Sequence, residues 1–405
     1  MKKIIAINLG NFGSTGNIMS GINATAMIGG YKTFRTYPGN KRNQPEHDSD
    51  ILLCCDLLNR VNQRLAYYTG LNGCFSFFST LRFLRKVKEI NPSIIQLHNL
   101  HNSYINLSLL FRFIKKRDIS VVWTLHDCWS FTGHCPHFTI VKCDKWKTGC
   151  YDCPQYKEYP QSFFDNSKFM WKLKKKWFTG VENMTIVTPS EWLAGLVRES
   201  YLKDYPVKVI NNGIDLNVFK PTKSIFRVKH GIAADKYIVL GVSFGWGRRK
   251  GLDVFIELAK RLDKEKYQIV LVGTDDKTDV QLPSNIISIH CTQNQQELAE
   301  IYSATDLFVN PTREENFPTV NIEAIACGTP VLTFRTGGSP EIIDDTCGSV
   351  VDCDDVDAME QEIRRICTEH PYSEKSCLKR AQRYDKDKKF QEYTDLYNEL
   401  SNSLT

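Results

Sequence analysis

Residues 310–341, NPTREENFPTVNIEAIACGTPVLTFRTGGSPE, constrain this chain more than any other stretch. A strand over 306–310 leads into a loop carrying Glu315. A helix opens after Pro318, and a second strand runs over 330–334. Val320, Ile322, Ala324, Ile325 and Ala326 place apolar groups on most sides of the helix, so it is buried between layers. Gly328 ends it. The first turn leaves the N–H groups of Thr319, Val320 and Asn321 for an anion, best a phosphate. Glu315 stands before that turn and Glu323 eight positions later, both able to accept hydrogen bonds from sugar hydroxyls. A diphosphate flanked by two sugars, as in a sugar nucleotide, fits this spacing.

With Phe317-Pro318 between the carboxylates and Glu323-Ala324, Gly328 and Pro330-Val331 after them, the stretch resembles the donor-site signature of the family 4 retaining glycosyltransferases, which have the GT-B fold. The resemblance implies an α/β chain of two Rossmann-like domains facing across a cleft, with the C-terminal helix returning to the first domain. It implies that Glu315 meets the transferred sugar and Glu323 the nucleotide ribose, with Asn316, Phe317, Thr319 and Val320 completing the donor site. Glu314, one position off the spacing, is read as solvent-facing or supporting.

A chain of 405 residues, 42% hydrophobic, can bury two cores. Residues 1–205 hold 27 Lys+Arg against 15 Asp+Glu, whereas 206–405 hold 25 against 31. A basic first half favours an anionic partner there: a lipid phosphate or a membrane surface. Its charges are spread over several helices without a nucleic-acid motif, so no nucleic acid is expected. No signal-peptide pattern and no membrane-spanning run is read, which predicts a cytoplasmic protein, peripheral at the inner face of the membrane. The 14 cysteines are then thiols or metal ligands rather than disulfides.

Along the chain, a strand over 2–9 runs into a Gly-rich turn containing Gly13, Ser14, Thr15 and Gly16, a phosphate-approach loop that the resemblance places under the donor phosphates. Strands over 93–97 and 120–125 end in His98 and His126-Asp127, at the edge where parallel sheets bind ligands. The resemblance puts His126 beside the transferred sugar. Basic, aromatic-flanked helices at 81–88, 112–117 and 172–176 pack on the sheet or touch a membrane surface. A Cys-rich insert (128–153) contains Cys135, Cys143, Cys150 and Cys153. Its closing Cys-x2-Cys has zinc-knuckle spacing, and with little apolar periodicity to hold the segment a structural zinc is expected. Cys128, His134 or His137 are the substitute ligands, and packed thiols or disulfides are the alternatives to zinc.

The expected domains are 1–206, 207–384 and a returning helix at 385–405. In the second, a strand over 237–243 and a helix over 251–262 flank Arg248, Arg249 and Lys250, cations at a helix start that call for an anion. Lys250 matches the family's phosphate-binding lysine. The family's usual arginine five residues earlier is Gly245 here, and Arg249 stands in. The predicted reaction is retaining, metal-independent transfer from a UDP- or GDP-sugar to a saccharide acceptor in capsule or exopolysaccharide synthesis. The acceptor is taken as polyprenyl-diphosphate-linked, with a soluble one as the alternative. No catalytic cofactor is expected. A GT-B sugar-nucleotide epimerase and a non-catalytic nucleotide-sugar-binding protein are the rival functions.

Overall fold

The computed structural model describes residues 1–402. The chain divides into two compact units, one of Met1–Asn211 joined by the C-terminal segment from Lys389, the other of Asn212–Lys388. The first unit thus ends after Asn211 rather than at 206, because Val207–Val209 pairs in parallel with Met184–Thr188 and completes the first sheet.

That sheet has seven parallel strands: β1 (Lys3–Ile7), β2 (Lys32–Tyr37), β3 (Ile51–Leu52), β4 (Ile94–Leu97), β5 (Ser120–Thr124), β6 (Met184–Thr188) and β7 (Val207–Val209), in the order β3-β2-β1-β4-β5-β6-β7. The second has six, β8 (Tyr237–Val242), β9 (Tyr267–Val272), β10 (Ile286–Ile289), β11 (Leu307–Asn310), β12 (Val331–Phe334) and β13 (Gly348–Val351), in the order β10-β9-β8-β11-β12-β13. Strands such as IIQL and VLTF are buried along their whole length, as expected of parallel strands covered on both faces. The order reverses at β1/β4 in one unit and at β8/β11 in the other, and loops leaving adjacent strands there diverge and open a crevice.

Helix α1 (Gly13–Ile28) follows β1, and α2 (Asp56–Thr69) and α3 (Phe77–Ile90) precede β4. Phe83, Leu84, Val87 and Ile90 of α3 are buried in the first core, so its basic face is the outer face of a packed helix. Of the 172–176 run, Lys174 is not a surface charge. It is fully buried, with its ammonium 3.5 Å from the centre of the Trp129 ring and donating to the Trp129 carbonyl.

The C-terminal segment holds two helices. A helix at Glu374–Ala381 ends in a tight turn, and Lys386–Asn402 begins anew. From Lys389 onward it packs on the first unit, where Phe390, Tyr393, Leu396 and Tyr397 join Ile4, Ile18, Ile22 and Val122. A Cβ on Gly21 of α1 would lie 2.2 Å from the Phe390 ring, so glycine is what lets this helix approach. Phe390→Ala should destabilise the first unit by about 3 kcal/mol, the usual range for emptying a buried aromatic site. Six of the seven tryptophans lie at or before residue 192. Tryptophan fluorescence during urea unfolding therefore reads this unit, and its midpoint should fall.

Candidate functional site

In the second unit, the β8/β11 switch collects the groups singled out in the sequence. The loop after β8 ends in a single helical turn, Arg248–Lys250, before the helix Leu252–Arg261. The loop after β11 carries residues 311–318 into the helix Thr319–Ala326. Lys250 Nζ donates to Glu315 Oε2 at 2.5 Å, each side chain about one-fifth exposed. Arg249 is exposed beside them. Gly245 has φ +94°, a conformation in which an arginine would be strained, which accounts for the absence of the expected cation there.

Arg313, which sequence reasoning passed over, holds these loops together. It is buried, its guanidinium bidentate to Asp253 at 2.7 and 2.8 Å, bonded also to Asp354 and to the Arg248 carbonyl. Its N–H donates to the Arg249 carbonyl at 2.9 Å. Glu314 is buried and therefore not solvent-facing. Glu315 is placed by a backbone crossing: Gly337, φ +55°, lies where a Cβ would sit 1.6 Å from the Glu315 carbonyl oxygen. The N–H of Gly338 donates to the Asn316 carbonyl at 3.0 Å.

The Thr319–Ala326 helix starts at Pro318 with no side-chain cap. The Asn321 N–H turns back to the Pro318 carbonyl at 3.2 Å, which removes it from the expected anion-binding set and leaves Thr319 and Val320 in that role. Phe317 is buried against Tyr384 and is a packing residue. Asn316 is also buried. Glu323 lies one turn into the helix, and the Tyr302 hydroxyl donates to it at 3.2 Å. Burial raises its pKa to about 7, against the hydrogen bonds from Tyr302 and Thr319 that favour the charged form.

In the first unit the β1/β4 switch is equally built. The α1 helix begins at Gly13, so Gly13, Ser14, Thr15 and Gly16 form its first turn, and the connecting loop is residues 8–12. Buried Asn8 donates to the Gly10 carbonyl at 2.8 Å and accepts from the Asn99 N–H at 3.3 Å, tying the two switch loops. After β4 and β5, His98 Nδ1 and His126 Nε2 are 3.0 Å apart with nearly parallel rings. Burial lowers the His126 pKa to about 4 and, with His126 adding to it, holds His98 well below the usual value. Both are neutral at pH 7. Asp127 faces His101 at 3.3 Å, and His101 bonds the Tyr159 hydroxyl. Two adjoining cavities, about 360 and 270 Å³, share Gln63 and Asn102, and seven of their sixteen lining residues are amides.

The Cys-rich insert has its own core. Trp146 packs between Phe131 and Phe138, and Trp171 Nε1 donates to its carbonyl at 2.9 Å. Aromatic packing thus supplies the cohesion that apolar periodicity did not reveal. Cys135, Cys143, Cys150 and Cys153 line one small cavity. A hydrogen bond to Cys153, then burial, raises the Cys135 pKa, while the same bond lowers that of Cys153. The Gly133 N–H donates to Cys150 Sγ at 3.1 Å. Among the described residues, no three His, Cys, Asp or Glu side chains are grouped so as to hold a metal ion.

Residues 38–218 match the family described as Glycosyltransferase Family 4, and residues 236–369 that described as Glycosyl transferases group 1. The chain is 26% identical to Escherichia coli K12 WcaC, named as a glycosyl transferase of colanic acid biosynthesis, over 77% of this chain and 78% of that one. It is 29% identical to the D-inositol 3-phosphate glycosyltransferase of Mycolicibacterium smegmatis over 41% of each chain. Among solved structures, sucrose-phosphate synthase from Thermosynechococcus elongatus covers all of both chains at TM-score 0.73 and 18% identity. Anabaena Alr3699/HepE, solved with UDP-glucose, covers 98% of this chain and 100% of its own at TM-score 0.68 and 14% identity. These two similarities establish the shared fold.

The raised Glu323 pKa has a consequence for stability. An unfolded glutamate titrates near 4.3, so the folded unit binds the extra proton between there and about 7 and loses stability as pH rises through that window. Glu323→Gln should stabilise the second unit at pH 8 by about 3 kcal/mol. The gain should shrink toward zero near pH 4 in calorimetric unfolding.

Proposed function

We propose, because this chain belongs to the group 1 and family 4 glycosyltransferases with the GT-B fold, that it transfers a sugar from a nucleoside-diphosphate sugar with retention at the anomeric carbon. The acceptor in this reading is a saccharide on a polyprenyl diphosphate at the inner face of the membrane, in cell-surface polysaccharide synthesis. The relationship to WcaC supports the polysaccharide role, and the UDP-glucose complex of HepE supports a UDP-sugar.

The observation that carries the reading is the gathering of Lys250, Glu315, an uncapped, half-buried helix start and Glu323 at one strand switch. Charge develops on the departing diphosphate during transfer. Lys250, Arg249 and the Thr319 and Val320 N–H groups would stabilise it, the role Mg²⁺ plays in other transferases. Glu315 would hold the transferred sugar, exchanging its bond to Lys250 for sugar hydroxyls. Glu323 would accept from the ribose. On the first unit, His126 and the start of α1 (Gly13, Ser14, Thr15 and Gly16) are proposed to serve the sugar and the phosphates. A neutral His126 can donate or accept a hydrogen bond without adding charge.

Calorimetric titration with UDP- and GDP-sugars should find one tight donor, bound at least tenfold more weakly by Glu323→Ala. Because hydroxyls donate to the carboxylate, affinity should rise between pH 6 and 8 in the wild type and stay flat in Glu323→Gln. Binding of no sugar nucleotide overturns the reading. Interconversion of free sugar nucleotides without acceptor indicates an epimerase, and binding without turnover a sensor.

The cysteine insert is a separate proposal. A structural zinc at Cys135, Cys143, Cys150 and Cys153 requires the four thiols to close around one point, which their shared cavity and the N–H donor to Cys150 support. Elemental analysis of chain purified without chelator should read about one zinc per chain. None in reduced protein returns these thiols to packing.

A further inference from the structure

Helix α2 is built the wrong way round for a helix covering a sheet. Its inward seam is Asn59, Asn62, Ala66 and Thr69, of which only Asn59 and Ala66 are buried. Its outward face carries Leu57, Leu58, Val61, Leu65 and Tyr68, all exposed. At 100° per residue Leu57, Val61, Leu65 and Tyr68 fall in one stripe along the helix. Leu57 is 71% exposed and Tyr68 59%.

The stripe continues beyond the helix. The Phe163 N–H donates to the Tyr67 carbonyl at 2.7 Å, and the Phe163 ring lies 6.4 Å from that of Tyr68, with Phe164 beside it. On the other side Asn62 donates to Ser76 at 2.7 Å, which fixes the start of α3 and its exposed Phe77 and Phe78, the latter 83% exposed. Three separate elements thus hold exposed aromatic and aliphatic side chains beside one another. Monomers in water rarely expose a contiguous apolar patch beyond a few hundred Å² without using it.

We propose that this face of the first unit docks on an anionic phospholipid surface. The charges around it choose the occupant. Arg60 and Arg64 flank the stripe on α2, and Arg82, Arg85, Lys86 and Lys88 are exposed on α3. Residues 56–90 carry these six cations against only Asp56 and Glu89. An apolar stripe bordered by arginines and edged with aromatic rings is the pattern of a helix lying in the lipid interface. A two-fold dimer through the same stripe would bring the arginines of both copies together, which opposes it. The docking surface deepens the proposed function, which places the acceptor at the membrane, and vesicle flotation can fail while sugar-nucleotide binding stands. Asn59 and Gln63 of the same helix line the amide-rich cavities, so a docked α2 would hold those cavities at the membrane surface.

The test is flotation of the full chain with vesicles of phosphatidylglycerol and phosphatidylethanolamine, and with pure phosphatidylcholine. The wild type should float with the anionic vesicles, less so at high salt. The triple variant Leu57→Gln, Val61→Gln, Leu65→Gln should bind at least tenfold more weakly, with unchanged melting temperature and unchanged sugar-nucleotide binding. Arg60→Gln with Arg64→Gln should lose the preference for anionic lipid. A wild type that stays unbound at millimolar lipid, or a triple variant that floats equally well, overturns the proposal. A concentration-dependent dimer that the triple variant abolishes, without vesicle binding, overturns it in favour of a second copy.

Discussion

Parallel strands all end on the same edge of their sheet, and that one constraint decides where this chain can do chemistry. Each sheet reverses its strand order once, at β1/β4 and at β8/β11. Only there do two adjacent strand ends send their loops apart. The polar groups marked by their spacing gather at these two edges. Neither edge is left to loop flexibility. Asn8 ties the loops of one, and Arg313 with its two aspartates ties those of the other. Gly337 lets a third loop pass within contact of the Glu315 backbone. A substrate-binding group held this way loses little conformational freedom when a ligand arrives.

The same edges carry the molecule's electrostatic compromises. Glu323 sits where water would serve a carboxylate better, and the fold accepts the cost of a half-ionised group near neutral pH. Lys250 and Glu315 pair with each other, so both charges are partnered at the strand switch. His98 and His126 stay neutral because burial disfavours a charged imidazole at both positions, with His126 adding to the effect at His98. Stability given up at a few sites of this kind is the usual mark of a functional surface.

How much of this was legible in the sequence follows from what each signal depends on. The strands and helices around residues 310–341 were readable because apolar runs, Pro318 and Gly328 act locally; the helix expected after Pro318 is observed at Thr319–Ala326. The resemblance assigned Lys250 to the phosphates and Glu315 to the sugar, and the structure brings the two side chains into contact. Arg313 was not readable, since its partners lie 60 and 41 positions away and nothing in its own neighbourhood announces them. Lys174 failed for the opposite reason. Its neighbours in sequence are lysines, yet half of its helix faces the core, and this lysine meets the Trp129 ring there. The aromatic core of the cysteine insert has no period because it is built from single turns rather than from a helix or strand.

Helix α2 shows the limit of periodicity most sharply. A 3.6-residue apolar stripe says that a helix has two faces, not which one the sheet will take. The C-terminal helix and α2 both lie on the first unit, and both carry aromatic and leucine side chains at helical spacing. In the C-terminal helix Phe390, Tyr393 and Tyr397 are buried because the face of α1 beneath it is apolar and has a glycine at the closest approach. Beneath α2 lie cavities into which amide side chains project, so its own amides turn inward and its leucines outward. Which face ends up exposed is therefore decided by the surface underneath.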